Sequence, residues 1–157
     1  KNVFFPGFEG QLRSDIARYE ILHRFGGVYI DTDFECLKPL DKLIEGVGFF
    51  CAWEIQGKVA NNAILGCTPG HPFAKVLVDE IEESVRRQSK TWPAKASGPH
   101  YLTAKLRDGV TVFDKKLFYP YAYGEWDRWN ERFPDAYGVH HWANGRRVKK
   151  HPLPESI

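Results

Sequence analysis

The chain has no methionine, not even at position 1, and only three cysteines. A missing initiator is what a piece of a longer polypeptide would show. Cys36, Cys51 and Cys67 are odd in number and follow no metal-ligand spacing such as CxxC. They read as reduced thiols, mostly core, in a reducing compartment. No apolar run is long enough to cross a bilayer and no secretory leader is seen, so the expectation is a cytoplasmic chain, at most peripheral to a membrane. An excess of one charge is lacking too. The 22 basic and 20 acidic residues leave a net +2, and the basic residues are scattered, which gives nucleic-acid binding no support. The one basic cluster is Arg146-Arg147-Val148-Lys149-Lys150-His151. It suits a diphosphate, an anionic membrane surface, or no partner at all as a solvated tail.

What is present fits one globular domain over residues 1–157. The 43% hydrophobic and 27% charged residues are ordinary values, and a chain of this length can bury a real core. Aromatics are plentiful at 15%, for a large core or for a carbohydrate- or nucleotide-binding surface. Asn2-Val3-Phe4-Phe5 reads as a short strand. Ser14 reads as an N-cap, with Ile16, Ala17, Tyr19, Ile21, Leu22 and Phe25 as the apolar stripe of a helix that Gly26-Gly27 ends. Strands are expected over 28–33, 47–54, 60–66, 110–113 and near 137–142. An amphipathic helix is expected over 73–88 and another after Pro99. Ser97-Gly98-Pro99 reads as a loop over a site. Tyr121, Tyr123, Trp126 and Trp129 fall in an aromatic loop, partly core and partly available to stack on a sugar. The pattern is mixed α/β.

The densest chemistry lies at Asp31-Thr32-Asp33. These acids end the run Gly27-Val28-Tyr29-Ile30, which reads as a buried strand. Side chains alternate along a strand, so Tyr29, Asp31 and Asp33 are expected on one face. Two acids on one edge without a counter-ion are costly, which favours a bound cation. Hard oxygen ligands suit Mg²⁺ or Mn²⁺, and such a cation suits a phosphate-bearing substrate. Asp15 and Arg18 share a helix face at i,i+3, either as a surface ion pair or as part of the same site. Asn61-Asn62 is either a turn device or a pair of sugar contacts. His140 and His141 are each a candidate ligand or a core histidine. An aspartate-nucleophile phosphatase also places DxD after an apolar strand, but it wants Thr or Val where this chain has Glu35.

Ser14-Asp15-x-x-Arg18-Tyr19, Gly26-Gly27-Val28-Tyr29-Ile30-Asp31-Thr32-Asp33 and Leu37-Lys38-Pro39-Leu40 together resemble the DXD-containing sugar-binding region of glycosyltransferase family 32. That family is related to fungal initiating mannosyltransferases, bacterial polysaccharide sugar transferases and glucosylating toxins. Asn61-Asn62-Ala63-Ile64-Leu65-Gly66, Pro69-Gly70-His71-Pro72, Ser97-Gly98-Pro99 and His140-His141-Trp142 extend the resemblance in order. It implies a GT-A type nucleotide-sugar transferase fold, here without the usual N-terminal nucleotide-binding βα portion. It implies metal-dependent transfer of a sugar from a UDP- or GDP-sugar to a carbohydrate or other hydroxyl acceptor, as in polysaccharide biosynthesis. Anomeric configuration would be retained through a front-face mechanism. By the same resemblance Asp15 and Arg18 grip donor-sugar hydroxyls, and Tyr29 lies beside the nucleotide. Asp31 binds sugar or ribose, and the metal through water; Asp33 ligates the metal directly. His140 completes the metal and diphosphate site, with His141 as its competitor, and an imidazole favours Mn²⁺ over Mg²⁺. The competing expectation is a non-catalytic remnant with weak or no donor binding.

Overall fold

The structure, a computed structural model, describes residues 9–88 and 93–143. The expected strand at 2–5 and the basic cluster at 146–151 lie outside the described residues. Helix α1 (Glu9–Phe25) leads into β1 (Gly27–Ile30) and β2 (Phe34–Cys36). The long strands β3 (Phe49–Ile55) and β4 (Val59–Cys67) follow, then helices α2 (Pro72–Arg87), α3 (Pro93–Ala96) and α4 (Pro99–Lys105). Strand β5 (Thr111–Phe113), two 3-10 turns (Lys115–Leu117 and Trp126–Asn130) and β6 (Gly138–His140) complete the order.

Four strands form a mixed sheet in the order β1-β4-β3-β5. The β1–β4 and β3–β4 pairs are antiparallel and β3–β5 is parallel. Strands β2 and β6 pair antiparallel as a separate ribbon. Alternation along β3 divides the core. Phe49 and Cys51 join Leu12, Ile16, Tyr19 and Leu22 of α1 and Phe73, Leu77, Ile81 and Val85 of α2. Phe50 and Ala52 join Ile64, Phe118, Tyr119, Tyr121 and Val139 on the other side. The helices therefore cover one face, and the ribbon with the aromatic segment covers the other. Burying each of these large side chains stabilises the fold by about 1.5–3 kcal/mol.

The mixed α/β class and the strand and helix at 47–88 match the sequence reading. The start of α1 does not. The helix begins at Glu9, so Ser14 is interior rather than an N-cap. The expected stripe also shifts. Ile21 and Phe25 are exposed while Asp15 and Arg18 are buried, because a charged pair with partners below it has taken inward positions. Gly26 ends the helix as expected. Its φ is +68°, and a Cβ there would lie 2.6 Å from Pro69 Cδ.

Strand β1 is not buried. It is the sheet's edge, with Val28 41% and Ile30 47% exposed. It also stops at Ile30, ahead of the two acids. Ser97-Gly98-Pro99 is not a loop over a site either. Ser97 is fully buried, wedged between the short α3 and α4. Of the loop aromatics, Tyr121 and Trp126 are core and Tyr123 is exposed.

All three cysteines are free thiols. Burial pushes the Cys51 thiol up to about 12 and, despite a hydrogen bond from the His71 backbone, the Cys67 thiol up to about 11. Cys36 is exposed. Iodoacetamide at pH 8 should therefore alkylate Cys36 alone in the native chain and all three after denaturation, read by intact mass. Rapid native labelling of Cys51 would contradict this packing.

Candidate metal centre and its buried support

Asp31-Thr32-Asp33 forms the turn that carries the chain from the main sheet to the ribbon. Asp31 N–H donates to Ala63 O at 2.9 Å, extending the β1–β4 ladder by one step. Phe34 N–H donates back to Asp31 O at 3.1 Å. The expected shared strand face is thus corrected: a turn, not strand parity, brings the carboxylates together. His140 arrives from β6, directly opposite Phe34 of β2. One ligand atom from each of Asp31, Asp33 and His140 lies within 4.8 Å of the others.

His140 Nε2 is 3.1 Å from Asp33 Oδ1 and 3.8 Å from Asp31 Oδ2. Despite that closeness neither contact has hydrogen-bond geometry, and both buried ring nitrogens lack a hydrogen-bond partner. The ring is clasped by Trp142, edge-on at 4.3 Å, and by Phe34 and Tyr119. Asp33 is held from its other side. Its Oδ2 accepts Ala143 N–H at 2.8 Å, and its backbone oxygen accepts His141 N–H at 2.9 Å. Trp142 sits at φ +54°, a left-handed conformation rare outside glycine, and the chain turns there to bring the Ala143 amide in. Burial alone would raise the Asp33 pKa. His140 and the Ala143 amide outweigh it, so the carboxyl is lowered to about 2.

A divalent cation fits these residues. Two carboxylates supply hard oxygen donors and a buried imidazole supplies a nitrogen with no other partner, a set that suits Mn²⁺.

Behind the acids stands Arg18. It is 5% exposed and Asp15 is 6% exposed, so the pair is not a surface ion pair. Arg18 Nη2 lies 3.0 Å from Asp15 Oδ1, and Nη1 lies 3.3 Å from Asp31 Oδ1. The guanidinium also donates to Asn62 O at 2.5 Å and Ser14 Oγ at 3.1 Å, and lies 4.4 Å from the Tyr29 ring centroid. Tyr29 O–H donates to Asp31 Oδ1 at 2.7 Å. Asp15 accepts from Asn62 Nδ2 at 2.8 Å and from Ser97 Oγ at 2.7 Å. Burial raises the Asp15 pKa, and Arg18 with these two donors works against the rise. Both Asp15 oxygens are engaged inside the protein.

Asn61 and Asn62 leave β4 on opposite faces. Asn61 Nδ2 donates to Glu54 Oε2 at 2.7 Å and its Oδ1 accepts Ala63 N–H at 2.8 Å. This local bond competes with the ladder, and the β3–β4 register shifts in this stretch. His141, the competitor ligand, faces away from the acids. Sequence reasoning missed Ser97 as the partner of Asp15 and the Ala143 amide as the partner of Asp33. Ser97-Gly98 was a visible signal; a backbone donor has none.

Residues 8–49 match the family described as "Glycosyltransferase sugar-binding region containing DXD motif". They carry Asp15, Arg18, Tyr29, Asp31 and Asp33. Over 83% of its length the chain is 28% identical to human alpha-1,4-N-acetylglucosaminyltransferase, covering 42% of that protein. It is 29% identical to inositol phosphoceramide mannosyltransferase 3 of Schizosaccharomyces pombe, over 82% of this chain and 30% of the relative. It is 28% identical to mouse lactosylceramide 4-alpha-galactosyltransferase, over 82% and 40% respectively. The chain thus spans less than half the length of these curated relatives. Among solved structures, the PaToxG glycosyltransferase aligns with 93% of this chain and 46% of its own at 18% identity and a TM-score of 0.49, a slight likeness.

The DXD region rests on a buried charge bridge. Removing one partner of such a pair costs about 3–5 kcal/mol, since it leaves the other charge uncompensated. Arg18→Leu should therefore lose stability of that order in urea denaturation. Asp15→Asn keeps the shape and should cost less. A loss below about 1 kcal/mol for Arg18→Leu would show that Asp15 and Asp31 do not depend on it.

Proposed function

We propose that residues 1–157 act as one domain, the DXD-bearing part of a metal-dependent retaining glycosyltransferase of GT-A type. It would move a sugar from a UDP- or GDP-sugar to a hydroxyl of a saccharide or glycolipid. The observation that carries this reading is the convergence of Asp31, Asp33 and the buried His140 within and just beyond the stretch that matches a glycosyltransferase sugar-binding region. Two relatives are named for ceramide-based lipids, which supports an acceptor of that kind and a peripheral membrane contact. Among the described residues no helix is long and apolar enough to cross a membrane.

In this reading Asp33, Asp31 and His140 hold the cation, with Mn²⁺ preferred over Mg²⁺ for the sake of the imidazole. A bound divalent cation would offset the negative charge that develops on the leaving diphosphate. Asp33 remains ionised throughout the physiological range, so the site keeps its charge. Arg18 holds Asp31 in place and adds positive charge on the phosphate side. Tyr29 orients Asp31 through its hydroxyl. Asp15 belongs to the donor-sugar side but acts through Arg18 and Asn62, since its own oxygens are engaged. Asn62 shapes the floor beneath the sugar, and Asn61, on the opposite face of β4, acts through Glu54.

A ligand that binds only the folded state at about 100 times its Kd stabilises by about 2.7 kcal/mol. For a chain of this size that is a rise in Tm of about 5–10 °C. Mn²⁺ with the right UDP- or GDP-sugar should produce such a rise, and Asp33→Ala should abolish it. Donor hydrolysis or transfer assayed alongside separates an enzyme from a remnant: metal-dependent binding without turnover favours the remnant. Stabilisation that survives Asp33→Ala would overturn the metal reading.

A further inference from the structure

We propose that His141, clamped between Glu35 and Tyr121, is the positioning residue that fixes His140 against Asp33. The inference rests on the reading of Asp31, Asp33 and His140 as a cation site, and concerns how that site is held. His141 is buried at 8% exposure and both of its ring nitrogens are engaged. Nε2 lies 2.9 Å from Glu35 Oε2, and Nδ1 lies 3.1 Å from Tyr121 Oη. A carboxylate can only accept, so in the neutral ring the Nε2–H donates to Glu35 and Nδ1 accepts the Tyr121 O–H. Tyr121 is a fixed post, wholly buried and stacked on Phe133 at 5.8 Å.

The ribbon explains why such a clamp is needed. Strands β2 and β6 contribute three residues each, and a two-stranded ribbon of that length is at best marginally stable alone. A slip by one residue would turn His140 to the opposite face and away from the acids. Glu35 stands opposite Val139 in the ladder, and its carboxylate reaches diagonally to His141, one residue past His140. The main chain of His141 meanwhile donates to Asp33 O at 2.9 Å. One residue therefore ties β2 through its side chain and Asp33 through its backbone. The side-chain tie is available only when His140 faces Asp33.

The test uses Mn²⁺ alone as the probe, with its Kd read by titration calorimetry and the metal-free Tm read separately. Groups that orient metal ligands from outside typically govern metal affinity by about 10- to 100-fold. Glu35→Ala should weaken Mn²⁺ binding by about that factor, whereas Glu35→Gln, which can still accept from Nε2–H, should restore near wild-type affinity. His141→Ala should match Glu35→Ala. Should His141→Ala fail to fold, the Glu35 pair still decides, because that side chain is 42% exposed. Unchanged Mn²⁺ affinity in Glu35→Ala, even with a lowered metal-free Tm, overturns the inference and leaves His141 merely structural. Equal weakening in Glu35→Gln and Glu35→Ala overturns it as well. A wild-type chain that binds no Mn²⁺ more tightly than Asp33→Ala overturns the underlying cation reading instead.

Discussion

The guanidinium of Arg18 is the constraint on which the site depends. It lies within 3.3 Å of both Asp15 and Asp31 and is almost wholly removed from water. A cation so placed must have partners for each of its donors, and it finds them on three elements: α1, the turn after β1, and the backbone of β4. The energetic consequence is rigidity rather than large net stability, because desolvating two charges offsets much of their attraction. The structural consequence is that the first acid of the DxD cannot wander. Its Oδ1 is held by Arg18 and Tyr29, which leaves Oδ2 turned toward His140.

The second acid is held by different means. Asp33 takes its partners from the end of the chain segment that carries His140, through the Ala143 amide and the His141 amide. Two carboxylates one residue apart are thus organised independently, one by a buried side-chain network and one by backbone donors. Between them they face an imidazole boxed in by aromatic rings. Such an arrangement concentrates negative charge where a cation could offset it, and keeps the imidazole from rotating.

Much of this was legible in the sequence because it is local. The spacing from Asp15 to Asp33 lies in one stretch, the α1–β1 unit is punctuated by Gly26-Gly27, and α2 declares itself by its apolar spacing. What was not legible depends on tertiary contacts. Nothing in the order of residues says that Ile21 and Phe25 face outward while Asp15 and Arg18 face inward; that follows from Asn62 and Ser97, 47 and 82 residues beyond Asp15. The strand over 28–33 reads as continuous because no glycine or proline interrupts it. The break after Ile30 arises because Asp31 is recruited by Arg18 and Tyr29. Likewise His140 and His141 are equivalent on paper, and only the β2–β6 register assigns one to the acids and the other to Glu35.

The turn at Thr32 has one further consequence. Asp31 ends a ladder of the four-stranded sheet, whereas Asp33 immediately precedes β2 and His140 ends β6 of the ribbon. What lies between the two layers is apolar: Phe34, Ile64, Phe118 and Val139. The opening among Asp31, Asp33 and His140 is therefore gauged by the thickness of a hydrophobic layer. Trimming or enlarging a side chain in that layer would change the spacing of the three side chains, without altering any of them.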